Sequence, residues 1–262
     1  MKIYLHRALP CVLLLMILFT SRLVLAQGGP PMLTDDSGVP GDGKWETNFA
    51  LEYEGSKNDN TRSFPIVDLN YGIGERIQLK AEFTWTAEKG DNLANRFDNI
   101  TLGFKYRIFD EKKDGVSLSA YPQPIISFNP EEEGTKSPAF GIFLPIAISK
   151  EILDIDVNVQ AGYQILATQK QWILGICLGH EFGESFNLLA ELHTTFSRST
   201  TISLTGEDEI FFRGGTFVNI GSQIKLSETY GILAGIGKDL ETSGFSSPNA
   251  NYYAYVGLQL LM

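Results

Sequence analysis

From Lys44 to Met262 apolar and polar residues alternate in run after run. The cleanest run is the last: Tyr252, Ala254, Val256, Leu258, Leu260 and Met262 against Asn251, Tyr253, Tyr255, Gly257, Gln259 and Leu261. A period of two predicts an extended strand with one apolar and one polar face, since successive side chains point to opposite sides of a sheet. Trp45 to Glu54, Arg76 to Trp85 and Ile155 to Gln164 repeat the pattern, with Ile77, Leu79, Ala81, Phe83 and Trp85 set against Arg76, Gln78, Lys80, Glu82 and Thr84. Twelve strands are predicted, at about 44–54, 62–72, 76–87, 97–109, 116–129, 138–149, 154–167, 170–183, 186–197, 210–226, 230–239 and 250–262. No segment has a convincing helical period. The joints at 72–76, 110–115, 150–153, 183–185 and 227–229 are tight and rich in Gly, Asp or Ser, whereas 55–61, 88–96, 130–136, 198–209 and 240–249 are longer and polar. Short turns on one rim, long loops on the other and an even strand number predict an all-β fold, a single antiparallel transmembrane β-barrel of about 12 strands, closed by pairing the last strand with the first.

Alternation alone leaves open which face is outside: a soluble barrel buries its apolar face and a membrane barrel shows it to lipid. Aromatics of the apolar parity gather at strand ends, with Trp45, Tyr71, Tyr106, Phe182, Phe186 and Tyr230 near the short turns. Tyr53, Trp85, Phe128, Tyr163, Trp172, Phe196, Phe212 and Tyr252 lie near the long loops. Two such belts match the two interfaces of a bilayer. The polar parity carries charges of both signs together with Gly103, Gly141, Gly162, Gly175, Gly179, Gly215, Gly221 and Gly235. A Lys or Arg turned to lipid at mid-depth costs ~2–4 kcal/mol, so the charged face is assigned to the lumen.

The first residues change the picture of location. Lys2 and Arg7 precede an apolar run from Ala8 to Phe19, and Val24-Leu25-Ala26 precedes Gln27. This describes a secretory signal peptide over residues 1–26; Arg22 interrupts the run, which argues against a retained helix of ~20 apolar residues. Residues 27–43, rich in Gly, Pro and Asp, form an irregular N-terminal segment and a candidate lumen plug, because a barrel of this size is too wide for side chains alone to fill. Residues 44–262 are the barrel. Without Lys2, Arg7 and Arg22 the 21 basic residues fall to 18 against 31 acidic ones, a formal balance of −13 that disfavours nucleic acid as a partner. Cys177 is then the single cysteine, which rules out an internal disulfide.

The stretch Gly29-Pro30-Pro31-Met32-Leu33-Thr34-Asp35-Asp36, followed by Val39-Pro40-Gly41, Gly43 and Trp45-Glu46, resembles the opening of a bacterial outer-membrane transporter family named for the meta-pathway of phenol degradation. Asp68-Leu69-Asn70-Tyr71-Gly72-Ile73-Gly74-Glu75-Arg76-Ile77-Gln78-Leu79 resembles the second hairpin of that family, and the detailed likeness covers residues 29–80. The resemblance implies an outer-membrane barrel passing small molecules, including aromatic or hydrophobic ones, and supplies no set of functional residues. The closing pattern Tyr255-x-Gly257-x-x-Leu260-x-Met262 resembles the signal read by the outer-membrane barrel-assembly machinery, which usually ends in an aromatic where this chain has Met262.

The expected function is a passive channel or transporter for small molecules in the outer membrane of a Gram-negative type cell, its partners being outer-membrane lipid, the assembly machinery and a small-molecule solute. Candidate pore-lining residues are Lys80, Glu82, Lys105, Arg107, Asp156, Gln160, Glu191, His193, Arg213 and Lys225, whose mixed charge would set selectivity. The same residues equally suit a network of ion pairs stiffening a structural, closed barrel. An outer-membrane esterase or phospholipase is the enzymatic alternative, through His180 with Ser185 or Ser197, but nucleophile, base and orienting residue do not fall at convincing positions. No cofactor or metal is expected: His180 and His193 lack partners at ligand spacing, and Glu131, Glu132 and Glu133 read as a solvated loop.

Overall fold

In the computed structural model the chain forms a closed antiparallel barrel. The structure describes residues 29–55, 60–88, 94–128, 137–167, 169–202, 208–240 and 252–262; within strands, the side chains of 88, 94, 95, 198–202 and 208–213 fall outside it. Its strands are β1 (Trp45–Gly55), β2 (Asn60–Ile73), β3 (Ile77–Glu88), β4 (Ala94–Phe109), β5 (Ser117–Ala120), β6 (Gln123–Ser127) and β7 (Ala139–Ile152). They continue with β8 (Ile155–Ile165), β9 (Lys170–Phe182), β10 (Phe186–Ile202), β11 (Asp208–Lys225), β12 (Tyr230–Leu240) and β13 (Tyr252–Leu261).

Neighbouring strands pair in sequence order, and β13 pairs with β1, with Phe49 opposite Leu258 and Leu51 opposite Val256. Trp45 and Met262 exchange backbone hydrogen bonds of 2.7 and 2.9 Å, which fastens the seam at the short-turn rim. Closure leaves no unpaired edge, a condition for strands in hydrocarbon.

The predicted fifth strand, 116–129, proves to be two segments. β5 and β6 lie end to end between β4 and β7 and together make one stave, so thirteen segments form twelve staves. The break falls at Tyr121-Pro122, ahead of Pro124, because proline has no N–H to give the ladder. Two other differences concern joints. The 110–115 turn holds a single helical turn, α1 (Glu111–Asp114), capped by the Asp110 side chain at its start and by Gly115, at φ 77°, at its end. β10 and β11 extend into the predicted 198–209 loop, pairing as far as Ile202 opposite Asp208.

Burial alternates with the period of the sequence. On β9, Trp172, Leu174, Ile176 and Leu178 face outward while Ile173, Gly175, Cys177 and Gly179 face inward. The inward set across the barrel is largely polar, including Asn48, Asp68, Lys105, Asn158, Glu191 and Asn219, and the outward set is Leu, Ile, Val and aromatic. Such a surface is stable where its surroundings are hydrocarbon, since buried polar groups here replace the usual apolar core. Ring pairs mark both rims: Trp45 with Tyr71 and Phe182 with Phe186 at the short turns, Tyr163 with Trp172 and Trp85 with Phe97 at the long loops.

Candidate functional site

One wall of the lumen is paved with glycine. Gly175 on β9, Gly221 on β11 and Gly235 on β12 face inward, and a Cβ on any of them would meet the segment that precedes β1: Thr34 at Gly175, Met32 and Pro31 at Gly221, Pro31 at Gly235. The missing side chains make the trough in which residues 29–37 lie. Thr34, Asp36 and Ser37 are buried, and Met32 packs with Cys177 and Leu189.

An irregular segment inside a barrel must find partners for its backbone, because none comes from a ladder. Glu191 on β10 supplies two of them. Its carboxylate accepts from Leu33 N–H at 3.2 Å and from Thr34 N–H, while Asn219 on β11 donates to it from the other side. Gln160 on β8 accepts from Asp35 N–H at 3.0 Å, and Ser149 on β7 accepts from Ser37 N–H at 3.1 Å. Gln223 donates to the Pro30 carbonyl and Tyr253 to that of Pro31. Across the lumen, Lys105 on β4 makes an ion pair with Asp35 at 3.0 Å, donates to the Asp36 carbonyl at 2.9 Å and lies 4.7 Å from the Tyr121 ring. The segment then leaves the lumen at the short-turn rim. There a Cβ on Gly72 would strike the Gly41 carbonyl, Gly43 N–H donates to Gly72 and Asp42 accepts from Gly74 N–H at 2.7 Å.

The ten residues predicted to line a pore therefore separate into groups. Lys105, Gln160 and Glu191 hold the N-terminal segment. Lys80 and Glu82, adjacent on the β3 lumen face, form an ion pair at 2.8 Å, and Lys80 also reaches Asp68 at 3.4 Å. Arg107 and Lys225 lie at the short-turn rim, paired with Asp110 at 2.9 Å and Glu228 at 2.8 Å, and Asp156 stands opposite Glu151 at that same rim. His193 is buried two residues above Glu191, its Nδ1 without a hydrogen-bond partner. Arg213 stands opposite Ser197 in the backbone register of β10 and β11; its side chain lies outside the described residues. Sequence reasoning missed Tyr121, which turns inward over Gly103 at the stave break and meets Gln78 at 3.3 Å, and Asn219, the partner of Glu191. The signal for Tyr121 was the Tyr-Pro-x-Pro run, which interrupts a strand where no loop is needed.

The residues of the esterase alternative do not form a triad: no hydrogen bond joins His180 to either serine among the described contacts. His180 faces outward on β9 and its Nδ1 meets the Asp154 carbonyl at 2.8 Å; Ser185 lies in the turn after β9, and Ser197 at the opposite end of β10. Among the described residues no group of three or more His, Cys, Asp or Glu side chains is arranged to hold a metal ion.

These features define an integral membrane β-barrel of twelve staves whose lumen contains a segment of its own chain. Among solved structures it is similar to an outer membrane channel from Pseudomonas putida F1, at 13% identity over 90% of this chain and 100% of that chain, with a TM-score of 0.63. It is also similar to KdgM porin in complex with disordered oligogalacturonate, at 10% identity over 82% and 98% of the two chains and a TM-score of 0.55. NanC porin matches at 7% identity over 82% and 98%, also at 0.55. Identities this low establish the shared barrel fold. No protein-family model and no curated protein matches the sequence.

Glu191→Gln tests how the segment is held. A carboxylate presents two acceptor oxygens to three donors, and the amide would turn an N–H toward one of them, an unmatched buried contact that costs ~1–3 kcal/mol. Cys177, fully buried beneath Met32, reports the outcome. Its labelling by a small water-soluble maleimide should be slow in the parent and about tenfold faster or more in the variant, each ~1.4 kcal/mol being a factor of ten; equal rates would show that Glu191 does not hold the segment.

Proposed function

We propose that this protein is an outer-membrane channel for small molecules whose lumen is narrowed by residues 29–43. The observation that carries the reading is the pair of contacts from opposite sides of the lumen to one segment: Glu191 to the backbone of Leu33 and Thr34, and Lys105 to Asp35. A segment spanning the lumen in this way narrows the passage, and polar contacts far weaker than covalent ones allow it to move. The apolar outer belt and the likeness in fold to an outer membrane channel and to porins support the location and the class. The opening motif over residues 29–46 resembles the meta-pathway transporter family, which supports small aromatic or hydrophobic solutes as cargo. Lys80, Glu82 and the other inward charges line the passage in this reading.

Purified, folded barrels in liposomes should admit small neutral solutes in a swelling assay and give discrete current steps in planar bilayers. The second reading, a closed barrel stiffened by lumen ion pairs, is favoured by the Asp68, Lys80 and Glu82 cluster. It predicts no solute uptake and no current even after residues 29–43 are removed.

A further inference from the structure

The N-terminal segment covers the glycine wall of β8 to β12, and the wall of β1 to β4 is built differently. Inward positions there carry Glu46 and Glu52 on β1, Asp68 on β2 and Glu82 on β3, with Lys80 as the cation among them. The register sets these carboxylates at successive heights. Glu46 stands level with Asn70 and Lys80; Asp68 stands level with Asn48 and Glu82; Glu52 is farther toward the long loops, level with Ser63 and Thr86. Each two-residue step is ~6–7 Å along a strand.

The positive charges near this lane are already matched. Lys80 meets both Glu82 and Asp68, and Lys105 is taken by Asp35 and Asp36 of the segment. At the outer end Arg96 stands opposite Thr86, and Asp98, two residues on along β4, accepts from Thr86 and Asn99. Glu46 and Glu52 are the surplus. Glu46 is half-buried and accepts hydrogen bonds from two neutral amides, Asn48 at 3.3 Å and Gln259 at 3.2 Å. Glu52, also half-buried, stands across from Tyr255 and Ser63.

A neutral side chain among the acids adds a second observation. Asn48 is 1% exposed; its amide nitrogen is shared between Glu46 and Asp68, each at 3.3 Å, and its Oδ1 has no donor. A buried carbonyl oxygen without a donor, beside two carboxylates, is acceptor capacity that the protein itself leaves unmet. A donor from outside the described side chains, water or a protonated amine among them, is what satisfies it.

We infer that the channel prefers cations, small inorganic ions and protonated amines among them, and that the lane over β1 to β4 with Glu46 and Glu52 sets the preference. The inference rests on the channel reading above. Surplus carboxylates at successive heights favour cation occupancy without a single deep trap, the condition for conduction.

The test is the zero-current potential of the full chain in a planar bilayer under a potassium chloride gradient. A potassium-to-chloride permeability ratio above one is expected, falling several-fold toward one in Glu46→Gln/Glu52→Gln. That double variant strands no lysine, because Lys80 keeps Asp68 and Glu82; folding is checked by heat-modifiable gel migration. Chloride preference in the parent, or an unchanged ratio in the folded variant, overturns the inference and leaves the channel reading standing. Should the variant fail to fold, the parent's ratio decides by itself. If the full chain is silent, the same ratio is read on the form lacking residues 29–43, whose β1 to β4 wall is intact, and cation preference is again expected. Silence of both forms overturns the channel reading, and this inference with it.

Discussion

Deleting residues 29–43 should raise single-channel conductance several-fold over that of the full chain, with heat-modifiable gel migration unchanged. The segment spans the lumen from Pro31, against the β12 wall, to Lys105 on β4, so it takes up cross-section that ions would otherwise use. The barrel itself does not need it. The twelve staves pair with one another all the way round, and the seam between Trp45 and Met262 lies beyond the deleted residues. What the deletion leaves behind is a lumen face of Glu191, Gln160, Lys105 and Ser149 whose partners become water molecules, an exchange that water makes at little cost. Unchanged conductance from a folded deletion form would mean that the segment does not limit the passage.

The second large effect concerns orientation in the bilayer. Ile176 stands midway along β9 on the outward face and is 46% exposed in the isolated chain. Ile176→Arg should lower the stability of the barrel in lipid vesicles by ~2–4 kcal/mol, the cost of a guanidinium facing acyl chains at the midplane, against ~0–1 kcal/mol for the same change near an interface. Tyr230→Arg at the short-turn rim, also outward and 50% exposed, supplies that comparison. Reversible urea unfolding in vesicles measures both. The depth dependence is the decisive feature: a protein surrounded by water would tolerate both substitutions alike, and equal small losses would remove the bilayer from the account.

The fold was largely readable from the chain. Period two is a local property, so residues such as Ile155 to Gln164 announced both their strand and its two faces without reference to any partner. The even count and alternating joints carried the closure of β13 on β1. Where the reading slipped, the cause was also local. Apolar alternation resumes on both sides of Tyr121-Pro122 and so predicts an uninterrupted strand across the break. The far ends of β10 and β11 continue into a polar stretch, because a ladder once started tolerates residues of weak strand preference.

The candidate site was only half readable. That Lys105, Gln160 and Glu191 point inward follows from parity, but what they meet does not. Leu33 and Glu191 are 158 residues apart, and Asp35 and Lys105 are 70 apart. Likewise the glycines at 175, 221 and 235 read singly as small inward residues; only closure of the sheet brings them side by side into a trough that fits Pro31, Met32 and Thr34. The sequence by itself determined which side chains face lipid and which face inward, since alternation along each strand separates the two faces and the aromatic belts and charges assign them. The tertiary structure alone decided which inward charges are matched by the enclosed segment and which remain on the β1 to β4 wall, because those distances are set across the barrel by its curvature and register.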